Sequence, residues 1–427
     1  MKIVVVGGGG REHAVIKTLL RDNKDAQIAA CSGNAGYDDG VIVTGIKATD
    51  VAAVKEFCKK FMPDLVVVTP DDPLAMGMVD ELTAAGFDCF GPTAAAAKIE
   101  SSKVFAKNLM KKYGIPTAEY QTFDDAEKAL EYVKTCPIPI VIKADGLALG
   151  KGVTVAFDRN CAVDAVKSVM RDKKFGDSGN SIVVEEFLTG PEVSVLAFTD
   201  GERIAPMTSS MDHKQAFDGD KGPNTGGMGV IAPNPFYTDE IAAECMQKIF
   251  LPTISALKKE GRIFKGCIYF GLMLTQNGPK VIEYNCRFGD PETQAVLPLF
   301  KGNLYQVFKD VARGNLNPAT AEFDKTKFSC CVVVASKGYP TEYQKGFKLS
   351  LPKVNDKTEF VFVAGAAKDK DGNLVTNGGR VAGATAVADS LEQAITNAYE
   401  IADKIEFKNK FCRSDRGKKA LDYAKRQ

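Results

Sequence analysis

Residues 281–293 read Val-Ile-Glu-Tyr-Asn-Cys-Arg-Phe-Gly-Asp-Pro-Glu-Thr, and this stretch limits the fold and the chemistry more than any other. We interpret its start as a strand. Residues i and i+2 of a strand face the same side, so Glu283 and Asn285 present two oxygen ligands at one point, which suits Mg²⁺ beside phosphates. Arg287 continues the row and can pair with phosphate or carboxylate through two hydrogen bonds. The alternative is the polar face of an edge strand, and the E-x-N-x-R arrangement favours the binding site.

A glycine-rich loop lies upstream of this stretch. Lys143 ends the apolar strand predicted at 140–143, and a second strand is predicted at 153–157. The loop between them contains Gly146, Gly150, Lys151 and Gly152. Such a flap suits nucleotide phosphates, and we expect it to close over the nucleotide. It is not a P-loop, because Gly152 follows Lys151 where Ser or Thr is required. A glycine-rich hairpin without a ligand is the alternative, and the two flanking lysines favour binding.

A third segment, 182–187, is an apolar strand that ends in acids and leads to Glu192. Its backbone could meet an adenine edge, and a carboxylate could meet ribose hydroxyls. Taken alone the signal is weak, because acids at a strand end are most often solvated.

The first hundred residues alternate strands with helices, which predicts an open parallel α/β sheet. The apolar run 2–6 leads into four glycines and Arg11, a turn and helix start that favour an anion. A nicotinamide site is the alternative. The third fingerprint glycine is missing, since Glu12 or His13 stands there, and the second strand ends without an acid. Loops 7–11, 32–36 and 70–73 follow successive strands and should share one crevice.

Beyond residue 92 the pattern becomes α+β. One helix is predicted at 94–112, another at 74–85, and a long Gly-, Pro- and Asn-rich loop at 211–235. The remaining predicted elements are helices 124–134, 161–172, 238–260 and 390–405, and strands 192–199, 267–275, 280–285, 330–335 and 359–364.

Composition removes several classes of protein. The apolar fraction is 45% and the net charge is +1, which excludes a disordered chain and gives no global attraction to nucleic acid or membrane. The 11 cysteines form no C-x-x-C pair, so we expect reduced core residues of a cytoplasmic protein. Two histidines exclude a His-rich metal site. No signal peptide or membrane-spanning run is visible.

The E-x-N-x-R stretch, the Lys143 strand with its loop, and residues 185–188 together resemble the ATP-grasp superfamily. Within it, the chain resembles the glycinamide ribonucleotide synthetase (phosphoribosylamine–glycine ligase) family over nearly its whole length. The segments that carry this resemblance are 8–14, 143–152, 212–214, 222–229, 285–294 and 335–340. Two departures are Asp71, in Pro-Asp-Asp-Pro where the family has Gly-Pro-Glu-x-Pro, and Ala35 in place of a usual Pro.

The resemblance implies that ATP, glycine and 5-phosphoribosylamine give glycinamide ribonucleotide, ADP and phosphate through glycyl phosphate, in purine biosynthesis. It implies Mg²⁺ or Mn²⁺ as cofactor and a monomer acting on small molecules. The expected domains are an N-terminal α/β domain (1–102), an ATP-grasp part with a lid (103–188, lid about 119–188), a central part (189–327) and a C-terminal domain (328–427). Alternatives are another ATP-grasp ligase or carboxylase, and a non-enzymatic nucleotide-binding regulator.

The resemblance also assigns residues. Arg287, Asp212 and Lys143 would be catalytic, and Glu283 and Asn285 would bind the metal. ATP would be bound by Lys103, Lys143, Gly146, Gly150, Lys151, Gly152, Glu185, Glu186, Phe187, Leu188 and Glu192. The other substrates would be bound by Gly8, Gly9, Gly10, Arg11, Asn34, Ala35, Gly36, Asp71, Asp212, Asn224, Thr225, Gly226, Gly227 and Arg287.

Overall fold

The computed structural model describes residues 1–37, 40–147 and 152–425. The first hundred residues form an alternating α/β unit. Its elements are β1 (Lys2–Gly7), α1 (Gly10–Asp22), β2 (Gln27–Ser32), β3 (Ile42–Val43), α2 (Val51–Phe61), β4 (Leu65–Val68), α3 (Asp71–Ala75), α4 (Met78–Ala84), β5 (Cys89–Phe90) and α5 (Ala94–Ser101). The strands form one parallel sheet in the order β3-β2-β1-β4-β5, here called the N-terminal sheet.

The predicted crevice exists at the carboxyl edge of this sheet. The backbone N–H of Gly33 donates to the Gly7 carbonyl at 3.0 Å, and Asn34 Nδ2 donates to the Gly8 carbonyl at 2.9 Å. Thr69 Oγ1 donates to the Val6 carbonyl at 2.7 Å, which joins the third loop to the first. The three loops therefore lie side by side.

Two predicted single helices are each two helices. Ser102 has an extended backbone that ends α5, and its hydroxyl accepts from the backbone N–H of Phe105 and so caps α6. Gly77, at φ +82, separates α3 from α4 in a conformation that favours glycine. The sequence carries both signals, a capping serine and an interior glycine.

The next unit is a small antiparallel sheet covered by helices. Its elements are α6 (Lys103–Tyr113), β6 (Tyr120–Phe123), α7 (Ala126–Thr135), β7 (Ile140–Ala144), β8 (Val153–Ala156), α8 (Arg159–Val166) and β9 (Ile182–Glu186). The strand order is β6-β9-β7-β8, here called the lid sheet, and it has its own apolar core. A π-helical turn, Lys167–Arg171, extends α8 and accounts for the longer helix predicted there.

The central part follows. Its elements are β10 (Glu192–Thr199), β11 (Ile204–Pro206), β12 (Met211–Asp212), β13 (Gln215–Phe217), β14 (Lys221–Asn224), β15 (Gly229–Ala232), α9 (Asp239–Cys245), α10 (Leu251–Lys259), β16 (Gly266–Thr275), β17 (Gly278–Asn285), α11 (Glu292–Val296) and α12 (Leu304–Arg313). The antiparallel central sheet has the order β11-β10-β16-β17. The prediction of a long loop at 211–235 was wrong, because four short strands lie there; their glycines and prolines hid the strand pattern.

The last part contains β18 (Phe328–Ser336), β19 (Glu359–Val363), β20 (Ala366–Lys368), β21 (Leu374–Thr376), β22 (Arg380–Ala388), α13 (Leu391–Lys404), β23 (Lys410–Phe411) and α14 (Lys418–Ala424). Its C-terminal sheet has the order β12-β15-β18-β22-β19, with β23 paired to β18. Two strands of this sheet, β12 and β15, come from the central part. The fold is α/β and α+β with several units, as predicted, but the units share a sheet.

All 11 cysteines are unpaired, and nine of them are buried, as expected for small core residues. No helix in the described ranges has both the length and the apolar character that crossing a bilayer requires.

Candidate active site

A cavity of about 910 Å³ lies between the lid sheet and the central sheet, with the N-terminal sheet and the C-terminal sheet at its far end. A cavity of this size suits a nucleotide and small substrates. Most of the predicted site residues line it: Arg11, Asp71, Lys103, Lys143, Gly146, Gly152, Glu185, Glu186, Phe187, Leu188, Glu192, Asp212, Asn224, Thr225, Gly226, Glu283, Asn285 and Arg287.

Other predicted residues lie beside the cavity. They are Gly8, Gly9, Gly10, Asn34, Ala35 and Gly36 in the crevice of the N-terminal sheet, and Gly227 in the turn before β15. Predicted residues Gly150 and Lys151 lie outside the described residues.

At the lid end, Glu185 on β9 joins two lysines. Its carboxylate lies 2.5 Å from the ammonium of Lys143 on β7 and 2.5 Å from that of Lys107 on α6. Burial opposes ionisation of Glu185, but the two lysines outweigh it and lower its pKa. Burial lowers the pKa of Lys107 to about 8. Glu185 is therefore a buried, ion-paired group and not the solvated acid that a strand end suggested.

Lys143 also connects the two sheets. Its ammonium donates to the carbonyl of Ile282 on β17 at 2.7 Å. The pairing of β16 with β17 is irregular at Ile282, where Glu283 and Val281 oppose consecutive residues of β16. This irregularity leaves the Ile282 carbonyl free of the ladder and available to the lysine.

Glu283 and Asn285 lie on β17 and open into the same cavity, as expected for residues i and i+2. The ammonium of Lys214 lies 3.3 Å from Glu283 Oε1 and lowers the pKa of that carboxyl to about 2. Glu283 is thus ionised, and Asn285 adds an amide oxygen, so the donor set fits a hard divalent cation that completes its shell with phosphate and water oxygens.

Arg287 is not free, contrary to what its proposed role implied. Its Nη2 lies 3.1 Å from Glu100 Oε1 and 3.3 Å from Asn285 Oδ1, and its Nη1 donates to the Phe288 carbonyl. Burial raises the pKa of Glu100 in spite of this partner. Arg287 Nε is buried without a hydrogen-bond partner among the described residues, so the guanidinium retains donor capacity.

At the N-terminal end, Glu12 fills the glycine turn. Its carboxylate accepts from the backbone N–H of Gly9 at 2.6 Å and from Thr69 Oγ1 at 2.6 Å. A Cβ added at Gly7, where φ is +126, would lie 2.5 Å from the Glu12 side chain, so this position requires glycine. Arg11 pairs with Glu12 at 2.6 Å and donates to the Phe288 carbonyl at 3.1 Å, which places it between the turn and the cavity.

The C-terminal part also reaches the cavity. Arg380 on β22 donates to the carbonyls of Gly226 and Asp290 at 2.7 Å each, and its Nη2 lies 3.1 Å from Asp290 Oδ2. It ties the 226–227 turn to the segment after β17.

The sequence interpretation assigned no role to several cavity residues: Glu100, Lys107, Lys214, Asp290, Glu292 and Arg380. Lys107 was available from helix spacing, because it lies one turn after Lys103. Glu292 and Asp290 stand inside the quoted stretch without a spacing rule that marks them. Arg380 has no local signal, because its contacts are distant in sequence.

Three models of one family match the chain. They are Phosphoribosylglycinamide synthetase N domain over residues 1–100, the ATP-grasp (A) domain over 101–293, and the C domain over 329–419. These matches confirm the predicted ATP-grasp fold.

Curated relatives match over the full length. Phosphoribosylamine–glycine ligase from Caldanaerobacter subterraneus subsp. tengcongensis is 45% identical over 97% of this chain and 99% of its own. The enzyme of that name from Listeria monocytogenes serovar 1/2a is 46% identical over 98% and 100%. The chicken trifunctional purine biosynthetic protein adenosine-3 is 43% identical over 99% of this chain and 42% of its own.

Solved structures agree. The Thermotoga maritima phosphoribosylamine–glycine ligase has a TM-score of 0.85 at 32% identity, covering 97% of this chain and 100% of its own. The biotin carboxylase domain of Hydrogenobacter thermophilus 2-oxoglutarate carboxylase has a TM-score of 0.74 at 14% identity, covering 96% and 91%, and shares the fold alone. The whole-length matches and the cavity residues together place this chain in the phosphoribosylglycinamide synthetase family of ATP-grasp ligases.

Proposed function

We propose that this chain joins glycine to 5-phosphoribosylamine at the expense of ATP, giving glycinamide ribonucleotide, ADP and phosphate. The observation that carries the proposal is the match to phosphoribosylamine–glycine ligases over practically the full length of both chains. Another ATP-grasp ligase or a carboxylase is less well supported, because the carboxylase likeness is one of fold at 14% identity.

ATP would enter between the lid sheet and the central sheet. Lys103 and Lys143 would face its phosphates, and burial lowers the pKa of Lys103, which fits a lysine that needs an anionic partner. The backbone of 186–188 would meet adenine, and Glu192 would meet the ribose. Lys107 would hold Glu185 and thereby set the position of Lys143.

A divalent cation, Mg²⁺ or Mn²⁺, would be held by Glu283 and Asn285 and would neutralise charge on the phosphate oxygens. The ion pair with Lys214 keeps Glu283 ionised and ready to bind. Lys214 would itself face added positive charge when the site is filled, so we expect it to turn towards Glu192, which lies 3.4 Å away.

The first chemical step would transfer the γ-phosphoryl group to the glycine carboxylate. Such a transfer needs positioning and charge neutralisation more than proton movement, which fits a cavity rich in lysine and arginine. Arg287, at the centre of that charge, would bind the glycine carboxylate and the transferred phosphate. The amine of phosphoribosylamine would then displace phosphate from the acyl phosphate.

Phosphoribosylamine would bind at the opposite end, with its phosphate on the glycine turn and on 34–36. Arg11 would supply positive charge there, and Asp71 would contact the sugar side of the substrate. One N–H of the turn already donates to Glu12, so the phosphate would use the remaining groups. We further propose a cytoplasmic monomer divided near residues 102, 188 and 327.

The deciding experiment is a coupled ADP-release assay with freshly prepared 5-phosphoribosylamine and a panel of carboxylates. We expect turnover with glycine, and loss of turnover when the divalent cation is chelated. Bicarbonate-dependent release that ignores glycine would instead identify a carboxylase. ATP binding without any turnover would identify a regulator.

A further inference from the structure

The cavity contains more acidic side chains than its cations pair. Among the described residues, each of its other acids has a cationic side chain within 4.0 Å, but Asp71, Asp212 and Glu292 have none. Asp212 and Glu292 are the two that interact with each other. The pair therefore presents negative charge that the protein leaves unbalanced.

Asp212 ends β12 and faces the 226–227 turn. One of its oxygens accepts from the backbone N–H of His213 at 2.7 Å. A Cβ added at Gly227, where φ is +111, would lie 2.8 Å from Asp212 Oδ1 and 2.3 Å from Pro291 Cδ. Asp212 and the residue before Glu292 thus pack against the same glycine, and Arg380 fixes this turn through the Gly226 and Asp290 carbonyls.

Glu292 begins α11 and is 4% exposed. Its carboxylate folds back over Gly289, where an added Cβ would lie 2.3 Å from Glu292 Oε2. Within the described part of the chain, the hydrogen bond recorded for this carboxylate comes from its own backbone N–H. A buried carboxylate without a cation or a second donor is costly, so a ligand that supplies both is favoured.

The charges around the pair are mixed. Lys214, Arg287 and Arg380 face it from the cation side, and Asp290 faces it from the acid side. Burial raises the pKa of Asp212 well above its usual value, and the charge of Glu292 raises it further; burial likewise raises the pKa of Glu292. A cation bound between the two carboxylates would relieve that repulsion.

We propose that Asp212 and Glu292 form the subsite that binds the α-ammonium group of the amino-acid substrate. This inference rests on the proposed function, because it names how that site selects its substrate. Glu292 lies close enough to Arg287 for their charges to interact, so an amino acid could place its carboxylate at Arg287 and its ammonium at the pair. Carboxylates that lack an ammonium would leave the two acids unpaired and would be rejected.

The test compares Glu292→Gln and Asp212→Asn with the unaltered enzyme. We expect each variant to raise the glycine KM roughly tenfold or more, while the ATP KM stays within about twofold. Calorimetry with glycine, Mg²⁺ and a non-hydrolysable ATP analogue should show the same loss of glycine affinity without any turnover. Glycolate, which carries a hydroxyl in place of the ammonium, should compete poorly with glycine in the unaltered enzyme and relatively better in Glu292→Gln.

The matched control is Glu392→Gln, which removes an exposed carboxylate from the first turn of α13. It should leave both KM values unchanged. Thermal melts establish that each variant folds, and Glu292→Asp provides a charge-retaining alternative if Glu292→Gln does not. Unchanged glycine affinity in both cavity variants with a lower kcat would overturn the inference and assign the pair to proton transfer. An unaltered enzyme that never uses glycine would instead overturn the proposed function.

Discussion

The guanidinium of Arg287 lies 3.1 Å from the buried Glu100 carboxylate, so it serves the protein as well as a substrate. Removing one partner of a buried ion pair leaves the other desolvated and uncompensated. The two effects, on turnover and on stability, can be separated because Glu100 touches the backbone N–H of Cys286 and lies behind Arg287.

We therefore expect Arg287→Ala to reduce kcat by roughly a hundredfold or more and to lower the free energy of unfolding by about 3 kcal/mol. The loss of turnover follows from the missing positive charge at the transferred phosphate. The loss of stability follows from the stranded Glu100 carboxylate. Denaturant titration and the ADP-release assay measure the two quantities on one preparation.

The double variant Arg287→Ala with Glu100→Gln separates these effects. It should regain most of the stability, because a neutral amide replaces the stranded carboxylate, and it should remain inactive. If the double variant regained turnover, Arg287 would have no role beyond balancing Glu100.

Single residues also show where sequence interpretation stops. Glu283, Asn285 and Arg287 could be placed together because strand periodicity decides which side chains share a face. Glu185 was misjudged as solvated, because its lysine partners come from α6 and β7, and only the packing of the helix against the sheet brings them together.

At the scale of elements, His213 connects β12 to the C-terminal helix. The imidazole contacts the Gly229 carbonyl through Nδ1 at 3.1 Å, and its Nε2 accepts from the backbone N–H of Gly417 at 3.3 Å. That arrangement uses the neutral ring. Burial, together with the charge of Arg416, lowers the pKa of His213 to about 4.

This shift makes stability depend on pH. In the unfolded chain a histidine takes up a proton below about pH 6.5, whereas the folded ring resists protonation down to about pH 4. The contribution is present above pH 6.5 and is lost as the pH falls. We expect the free energy of unfolding to drop by about 2 kcal/mol from this residue between pH 7 and pH 5.

Urea titrations at pH 7, 6 and 5 on the unaltered chain and on His213→Gln measure this contribution. The glutamine keeps polar atoms near Gly229 and Gly417 and cannot titrate, so its curve should be flatter by that amount. Parallel curves for the two proteins would mean that the buried ring does not resist protonation.

Element boundaries were predictable where the pattern is local and regular. The parallel strands of the N-terminal sheet followed from apolar runs bounded by glycine loops. The short strands within 211–232 did not, because each gains its pairing from residues elsewhere: β15 pairs with β18, about a hundred residues later along the chain.

At the scale of the whole molecule, the C-terminal sheet is built from two parts of the chain. β15 pairs with β18 over Gly229↔Val332 to Ala232↔Ser329, and β12 pairs with β15. Arg416, fully buried, donates from Nε to the Met228 carbonyl at 2.8 Å. The wall of the cavity that carries Asp212 is therefore supported by residues beyond 327.

We expect a chain that ends at residue 327 to lose ligase turnover and the cooperative thermal transition of the central part. β15 would lose its ladder partner, and the 226–227 turn would lose Arg380. Size-exclusion chromatography, thermal melts and the ADP-release assay test this expectation.

The control is a short insertion at Gly372, in the exposed turn between β20 and β21, where a side chain would meet no heavy atom within 4 Å. This variant should melt and turn over like the unaltered chain. A truncated chain that melts cooperatively and still binds glycine would show that the shared sheet is dispensable.

The sheet shared by β12, β15 and β18 also limits how relatives of this chain can be recombined. A chimera that exchanges only the residues after 327 would join hydrogen-bond ladders and side-chain contacts selected in different ancestors. A compatible exchange has to carry 211–232 along with the C-terminal residues, although nearly a hundred positions separate the two in the chain. Substitutions on the two sides of this seam should accordingly be inherited together.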